Sequence, residues 1–443
     1  MSSKEDIQTT DTSNNDGTDE STNDQETIVF KVDKVIDCFL HRILDIEDCA
    51  KEYIPAALIK HSEDAKKLSD EISNNKTILD SIDDGDEVDV ASLNAMRKTI
   101  RDIERLSNSN PANTLEKSLF VSLFASFDKF IGDLVAVLYR QNPDLYKNIN
   151  REITLSEALK FNSILELRET VLDKEIESIR RKSYVEQFKE LENRFSIKLT
   201  KFNEWPHFIE MAQRRNLFTH CDGIVSKQYL DVCRDVGHKI KGECNVGDQL
   251  KIGSDYFFRS CMQVSQVAVM LGHTLWRKSA SETISESDSH LSKLVFDYLH
   301  MEHWPNAISI SKFALGLPNI ASDEMGRIFT VNYAIALNSI GEEQAVRNVL
   351  DKKDWSATTY DFKLAYEILT NDYPAAKKTM IKLGKQGELI NESSYHDWPL
   401  FRDFRDSEEF FSGYETVFGY KYSSKLSEIA GEQKDELSQL ETE

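Results

Sequence analysis

The stretch LEKSLFVSLFASFDKFIGDLVAVLYRQ, residues 115–141, indicates the fold class more clearly than any other part of this sequence. Apolar residues occupy most of its helical faces, and Ser126 and Asp128 are among the few polar residues in its middle. A helix that is apolar nearly all round is normally packed on several sides. We therefore expect residues 115–141 to form the central helix of a bundle.

The sequence before this helix is also helical in pattern. Apolar residues recur at three- and four-residue spacing from Ile28 onward, which indicates one buried helical stripe. A second helix is expected after Pro55, over residues 56–72, and a third over residues 90–106. The acidic, turn-rich stretch from Asn74 predicts a loop between them.

The sequence after the central helix continues the same pattern. We expect helices over residues 156–172 and over residues 174–195, the latter with the basic triplet Arg180, Arg181 and Lys182. A further helix is expected within residues 204–223, with Pro206 in its first turn and Gly223 as its stop, and a last one from Ser254 onward. No stretch shows the alternation of apolar and polar residues that is typical of strands. The prediction is an all-α protein.

Composition limits the classes of function. The chain has 443 residues and a net charge of −22, so a nucleic-acid contact must be a small focused patch rather than a wide basic face. Six cysteines without any CxxC pair favour free thiols in a reducing cytoplasm. We expect no export signal and no membrane span, and hence a soluble cytoplasmic protein.

Changes in composition and periodicity divide the chain into five parts. We expect a disordered acidic tail over residues 1–26, a helical region over 27–107, a helical bundle over 115–278, helical repeats over 285–420 and an acidic tail over 421–443. The polar stretch from Ser279 is expected to be a flexible linker. In the repeats, Ala307, Ala345 and Ala376 recur at intervals close to the 34 residues of tetratricopeptide repeats, which this region resembles.

The stretch RRNLFTHCDGIV, residues 214–225, holds the candidate reactive groups. Asn216 and His220 share one face of the expected helix, and Arg215 lies about 140° round the axis from His220. A guanidinium and a titratable imidazole suit RNA cleavage by the 2′-hydroxyl, in which protons are shuttled and phosphoryl charge is stabilised. One helix offers only one histidine, so the reaction requires two copies facing each other. No metal and no cofactor are expected.

This stretch, inside an all-helical block, resembles the R-x4-6-H motif of HEPN domains. The resemblance covers residues 115–278 and implies a metal-independent endoribonuclease that acts as a homodimer, as in bacterial defence and toxin systems. It implies Arg215, Asn216 and His220 as catalytic residues. Asp128 lies where family members often place another polar residue, and Arg180, Arg181 and Lys182 are candidates for binding RNA phosphates.

Other interpretations of the same residues remain open. Arg214 is expected to have no part in the reaction. His220 could simply be a histidine at a helix C-terminus, where the helix dipole stabilises its protonated form. The residues His220, Cys221, Cys233, His238 and Cys244 could be imagined as a zinc site, although their spacing matches no known ligand pattern. The chain could also be a non-catalytic helical scaffold that dimerises, with the repeat arm binding a regulatory partner protein.

Overall fold

The computed structural model describes residues 31–83, 90–149, 151–240, 242 and 244–422. Most of these residues are α-helical and none of them lies in a β-strand, apart from an isolated bridge between Ile224 and Gln249. The all-α prediction is confirmed. The acidic tail expected over residues 1–26 and all but two residues of the tail over 421–443 lie outside the described residues.

The N-terminal part consists of two helices, α1 (Val32–Asp83) and α2 (Val90–Ser107). The first part of α1, up to Ala50, presents buried apolar residues to helix α3 (Pro111–Gln141) and to the long helix that ends the central part. Beyond Ala50, the partly buried Ile54 still packs against this core, and the farther part of α1 packs against α2. The N-terminal region is thus partly built into the central bundle and partly projects from it.

Two expectations for this region are wrong. The expected helix break at Pro55 does not occur, because α1 runs through this proline to Asp83. Pro55 and Lys51 are both exposed, so water can satisfy the Lys51 carbonyl that loses its helical donor at the proline. The loop expected from Asn74 is helical as far as Asp83, and residues 84–89 lie outside the described residues.

The central part is a bundle around α3. Its further helices are α4 (Leu155–Ala158), α5 (Ile164–Arg180), α6 (Tyr184–Phe195), α7 (Trp205–His220), α8 (Lys227–Asp235) and α9 (Ser254–Ser279). Aromatic rings fill its core: the Phe127 ring centroid lies 4.9 Å from that of Phe208 and 5.8 Å from that of Phe39 on α1. The prediction that α3 is packed on several sides is confirmed by its fully buried phenylalanines and leucines.

The helix expected over residues 174–195 is wrong, because it is two helices. Arg180 is the last residue of α5, and α6 begins after Ser183 with a capping box in which Ser183 and Glu186 satisfy each other's backbone N–H groups. The single helix expected over residues 156–172 is also wrong: a second capping box, between Thr154 and Glu157, starts the short helix α4, which ends at Ala158, and α5 begins at Ile164. Both signals are visible in the sequence as Ser or Thr followed three residues later by Glu.

The C-terminal part contains helices in sequential pairs. They are α10 (Ile284–His300), α11 (Trp304–Leu315), α12 (Asp323–Ser339), α13 (Glu343–Leu350), α14 (Tyr360–Leu369), α15 (Tyr373–Leu383), α16 (Glu392–Asp397) and α17 (Glu408–Phe418). In the first three pairs the two partners pack against each other. Among the described helices, none combines the length and the hydropathy required to cross a membrane.

The flexible linker expected from Ser279 is wrong. Only a short turn separates α9 from α10, and Ser287 and Asp288 in the polar stretch are fully buried. Asp288 accepts hydrogen bonds from the Arg277 guanidinium and from the backbone N–H of Ala321 at 2.7 Å. The polar side chains of this segment are therefore internal hydrogen-bonding groups, and they join the central and C-terminal parts.

Candidate functional site

Helix α7 has the ends that its sequence predicts. Pro206 lies in its first turn, where a missing backbone N–H costs nothing, and the helix ends at His220. The Gly223 N–H donates to the Leu217 carbonyl at 3.1 Å, and Gly223 has a φ of 87°. A Cβ atom at this position would lie 2.6 Å from the Phe218 ring, so only glycine fits this stop.

The residues that follow α7 fix its end in place. Asp222 accepts a 2.5 Å ion-pair hydrogen bond from Lys117 near the start of α3. The Val225 N–H donates to the Asp248 carbonyl at 2.8 Å, and the Leu250 N–H donates to the Gly223 carbonyl at 2.9 Å. The Asp-Gly-Ile-Val continuation thus has a structural role: it holds the last turn of α7 against the bundle.

A cleft of 310 Å³ lies between α3, the α5–α6 junction and α7. We call it the basic cleft. Its walls include six of the seven candidate residues that the sequence identifies, namely Asp128, Arg180, Arg181, Lys182, Arg215 and Asn216. Residues that are more than 80 positions apart in the sequence are therefore neighbours in this cleft.

Arg215 and Asp128 form the centre of the basic cleft. The Arg215 Nη2 atom lies 3.6 Å from Asp128 Oδ2 and donates a hydrogen bond to the Tyr184 hydroxyl at 3.2 Å. The Tyr184 hydroxyl in turn donates to Asp128 Oδ1 at 2.6 Å. The Arg215 guanidinium also lies 5.7 Å from the ring centroids of Phe124 and Tyr184. These contacts fix the direction in which the guanidinium points.

The carboxyl group in the basic cleft, that of Asp128, has a shifted pKa. Burial raises the pKa of Asp128 above its ordinary value, although the Tyr184 hydrogen bond and the nearby Arg215 and Arg180 charges oppose this rise. Burial and the neighbouring Asp128 also raise the pKa of Tyr184, so its phenol stays protonated and remains a donor. Asp128 can therefore exchange a proton at a pH closer to neutral than an exposed aspartate can.

The basic triplet lies at the α5–α6 junction rather than within a helix, and its members differ in their partners. Arg181 pairs with Glu177 and Lys182 pairs with Glu190, so much of their charge is compensated. Arg180 is exposed and has no ion-pair partner among the residues that the structure describes. Arg180 and Arg215 are thus the two arginines of this cleft that are best placed to meet an incoming anion.

Two residues that sequence reasoning missed complete the cleft wall. Tyr184 bridges Arg215 and Asp128, as described above. Gln187 is buried, and its Nε2 atom donates to the Lys182 carbonyl at 2.9 Å, which orients the carboxamide. Gln187 Oε1 and Arg215 Nε are buried and have no hydrogen-bond partner within the described part of the chain. The capping box at Ser183 is the signal that could have found them, because it places the start of α6 directly after the basic triplet.

His220 is the one candidate that lies apart from this group. It is exposed at the end of α7, and the described residues that line the basic cleft do not include it. Arg215 and Asn216, by contrast, both line the cleft. Although Asn216 and His220 are one turn apart on α7, only Asn216 lines the cleft, because the side chain of His220 is at the solvent-exposed helix end.

Arg214 has a structural role, in line with its expected position outside the reactive group. Its Nε donates to Glu210 Oε1 at 2.8 Å, and its guanidinium lies 4.0 Å from the Tyr256 ring centroid. Tyr229 and Tyr256 also donate hydrogen bonds to the Glu210 carboxylate, at 2.6 and 2.7 Å. This buried network holds α7 against α8 and α9, on a different face from the basic cleft.

The residues considered for zinc binding do not form a ligand group. Across the described ranges, no three or more His, Cys, Asp or Glu side chains are arranged to hold a metal ion. Cys221 is exposed, whereas Cys233 is fully buried, and burial together with the Glu210 charge raises the pKa of Cys233 to about 12. A thiol that keeps its proton is a poor metal ligand. All six cysteines are free thiols.

Comparison of the chain with models of known protein families, with curated proteins and with solved structures found no match.

Proposed function

We propose that this protein is a metal-independent endoribonuclease that binds RNA in the basic cleft. The observation that carries the proposal is the convergence of Arg215, Arg180 and Asp128 in one cleft of 310 Å³. Arginine forms bidentate contacts with phosphate, and a partly buried cation next to a titratable group suits phosphoryl chemistry. Two arginines in one cleft form a small focused patch of positive charge, the kind of phosphate contact that is expected in a chain whose net charge is −22.

In the proposed reaction the 2′-hydroxyl oxygen attacks the adjacent phosphorus and the bond to the 5′-oxygen breaks. One group accepts the 2′-hydroxyl proton, another donates a proton to the leaving 5′-oxygen, and the products are a 2′,3′-cyclic phosphate and a 5′-hydroxyl. Arg215 stabilises the charge that builds on the phosphoryl oxygens. His220 is a general acid/base. Asn216, which lines the cleft, orients the substrate.

The proposed active enzyme is a homodimer. One chain presents one His220, exposed at the end of α7, and general acid and general base roles require two proton-transfer groups. A second copy brings its own His220 to the same substrate across a two-fold axis. The analogy with HEPN domains, and with their roles in bacterial defence or as toxins, belongs to this proposal.

A non-catalytic scaffold is the second candidate, and a separate cleft favours it. This cleft has a volume of 880 Å³ and lies between α1, α10, α12, α14 and the segment around α16. Exposed apolar side chains line it, among them Phe296, Met301 and Leu389. The paired helices α10–α15, with Ala307 and Ala376 fully buried between helices, would then be a tetratricopeptide-like arm that binds a regulatory protein.

The deciding experiment incubates the purified chain with labelled single-stranded RNA in EDTA. Arg215→Ala should lower the cleavage rate by about 10²–10³-fold, and His220→Ala by about 10²–10⁴-fold. Arg259→Ala is the matched control, because Arg259 is on α9 and lies outside the basic cleft, and its rate should equal that of the wild type. Absence of cleavage by the wild type, or cleavage that both active-site variants retain, would refute the proposal.

A further inference from the structure

Helix α1 projects far beyond the core of the protein. Ala50 is buried, and among residues 51–73, which follow it, no side chain is buried. At 1.5 Å per residue, the part from Lys51 to Asp83 is about 50 Å long. We call residues 51–60 the neck, and α2 together with residues 61–83 of α1 the hairpin.

The neck is apolar although most of its side chains are exposed, Ile54 and Ala57 being half-buried. Its sequence includes YIPAALI, residues 53–59, and 57% of Tyr53, 57% of Leu58 and 61% of Ile59 is exposed. Helix α2 does not cover the neck, because its last turn reaches only as far as His61, whose ring Nε2 lies 3.3 Å from the Leu106 carbonyl oxygen. Large apolar side chains at a bare helix surface indicate a surface that is covered by a partner.

The hairpin continues this apolar surface. Helix α2 runs antiparallel to α1, with Thr99 donating a hydrogen bond to Glu71. Between the two helices lies a groove of 250 Å³, lined by His61, Ala65, Leu68, Ser69, Ile72, Ile103, Leu106 and Ser107. Val90 and Ile100 are also exposed on α2. Two helices alone bury only part of their apolar faces, whereas four helices enclose a core.

The charge of this surface favours a second copy of the same chain as the partner. Residues 51–83 and 90–107, which form the neck and hairpin, together hold nine Lys or Arg and nine Asp or Glu, a net charge of 0, in a chain whose net charge is −22. Within that total, the α1 part has a net charge of −2 and α2 has a net charge of +2. Two such hairpins can meet with α1 of one against α2 of the other, without the like-charge repulsion expected over the rest of the chain.

The base of the hairpin lies next to the end of α7. Only residues 108–110 separate α2 from α3, and Lys117 in the second turn of α3 binds Asp222, two residues after His220. The Lys117 ammonium also lies 5.7 Å from the Phe218 ring centroid. A partner seated on the neck is therefore close to the exposed His220.

We propose that a second copy of this chain docks on the neck and hairpin, so that the two hairpins form a four-helix bundle beside the two α7 ends. The dimer contact is then made by this projecting element, and it brings the two His220 residues together. The placement of the histidines rests on the proposed ribonuclease function. The docking surface itself rests on the exposure of residues 51–73 and on the charges of the two helices, residues 51–83 and 90–107.

The test measures the molar mass of the full chain by light scattering across a dilution series. The wild type should have twice the monomer mass of 50.9 kDa, and the double variant Leu58→Glu/Ile59→Glu should have the monomer mass. The matched control is Leu159→Glu, because Leu159 is 77% exposed and lies outside the neck and hairpin; this variant should stay dimeric. Glutamate is a good helix former, so the circular dichroism of the double variant should be unchanged.

A milder variant keeps the test independent of folding. Ile59→Ser should raise the dimer dissociation constant at least about tenfold, because it removes an apolar contact from each copy. A monomeric wild type, a double variant that stays dimeric or an unchanged dissociation constant for Ile59→Ser would overturn the proposal. If the double variant is monomeric and no form of the protein cleaves RNA, the docking surface stands and the ribonuclease proposal fails. If the wild type cleaves RNA as a dimer that both neck variants leave intact, the ribonuclease proposal stands and the docking surface fails.

Discussion

The two neighbouring arginines of α7 should have different roles, Arg214 in the stability of the fold and Arg215 in the cleavage of RNA. Arg214 belongs to the buried network around Glu210, in which the carboxylate accepts hydrogen bonds from Arg214 Nε at 2.8 Å, from Tyr229 at 2.6 Å and from Tyr256 at 2.7 Å. Burial lowers the pKa of Arg214, but Tyr256 and Glu210 raise it by more, so the guanidinium keeps its charge. The perturbation that tests this network is Glu210→Gln.

The magnitude follows from how deeply the pair is buried. The exposed fraction of the side chain is 4% for Glu210 and 15% for Arg214. Water therefore has little access to the Arg214 guanidinium and cannot compensate its charge when the carboxylate is removed. Removing one partner of a buried ion pair costs about 3–5 kcal/mol, because the other charge is left uncompensated. We therefore expect Glu210→Gln to lower the free energy of unfolding by about 3 kcal/mol or more.

Arg215→Gln should have the opposite effect: little loss of stability and a large loss of RNA cleavage. Its guanidinium lies 3.6 Å from Asp128, and burial raises the pKa of Asp128, so this carboxyl can take up a proton when its cationic neighbour is removed. The free energy of unfolding should fall by no more than about 1 kcal/mol, as for a partly exposed pair. The RNA cleavage rate should fall by about 10²–10³-fold, because the group that stabilises phosphoryl charge is gone.

The assay is urea unfolding followed by circular dichroism, combined with the RNA cleavage rate in EDTA. The double variant Glu210→Gln/Arg214→Gln is the control, and it should be less destabilised than the sum of the two single variants, because they share one interaction. The reasoning is refuted if Glu210→Gln is as stable as the wild type, or if Arg215→Gln loses as much stability as Glu210→Gln does.

Two further predictions concern the contacts of α9. Burial, and secondarily nearby positive groups, hold the pKa of His273 well below its ordinary value of 6.5, so the unfolded chain gains a proton below pH 6.5 that the folded chain does not. Below pH 6.5 this proton should lower the free energy of unfolding by about 1.4 kcal/mol for each pH unit of acidification. His273→Gln should remove this contribution, whereas His300→Gln, at an exposed position, should not. Gly272→Ala should destabilise by about 1–3 kcal/mol, since its Cβ would lie 2.8 Å from buried Ile36, whereas Gly326→Ala, which meets only the flexible end of a lysine, should not. Unfolding midpoints in urea at several pH values check both, and equal midpoints for the two alanine variants would contradict the second.

Local signals predict most of the helices in the bundle. The helix ending at Gln141, the helix from Trp205 to His220 and the helix from Ser254 all occur as expected, because their apolar residues, their prolines and Gly223 act over a few turns. The basic triplet is the exception: the apolar spacing around it favours a helix interior, but the capping box at Ser183 starts a new helix there.

Tertiary contacts decided what local signals could not. The polar segment containing Asp288 has the composition of a linker, but it is buried because Arg277 and the backbone of Ala321 satisfy its carboxylate. Such partners are distant in sequence, and composition does not reveal them. In the same way, no local pattern states that α1 continues as a bare helix through Pro55.

The sequence by itself determined that this protein is helical, where α7 begins and ends, and which polar residues are candidates for a site. Only the tertiary structure decided that Asp128 and Arg180 meet Arg215 in one cleft, and that His220 stands outside it. The physical reason is that helix periodicity and capping depend on neighbours within a few residues. A cleft depends instead on how α3, α5 and α7 pack against each other, and many different sets of core side chains allow the same packing.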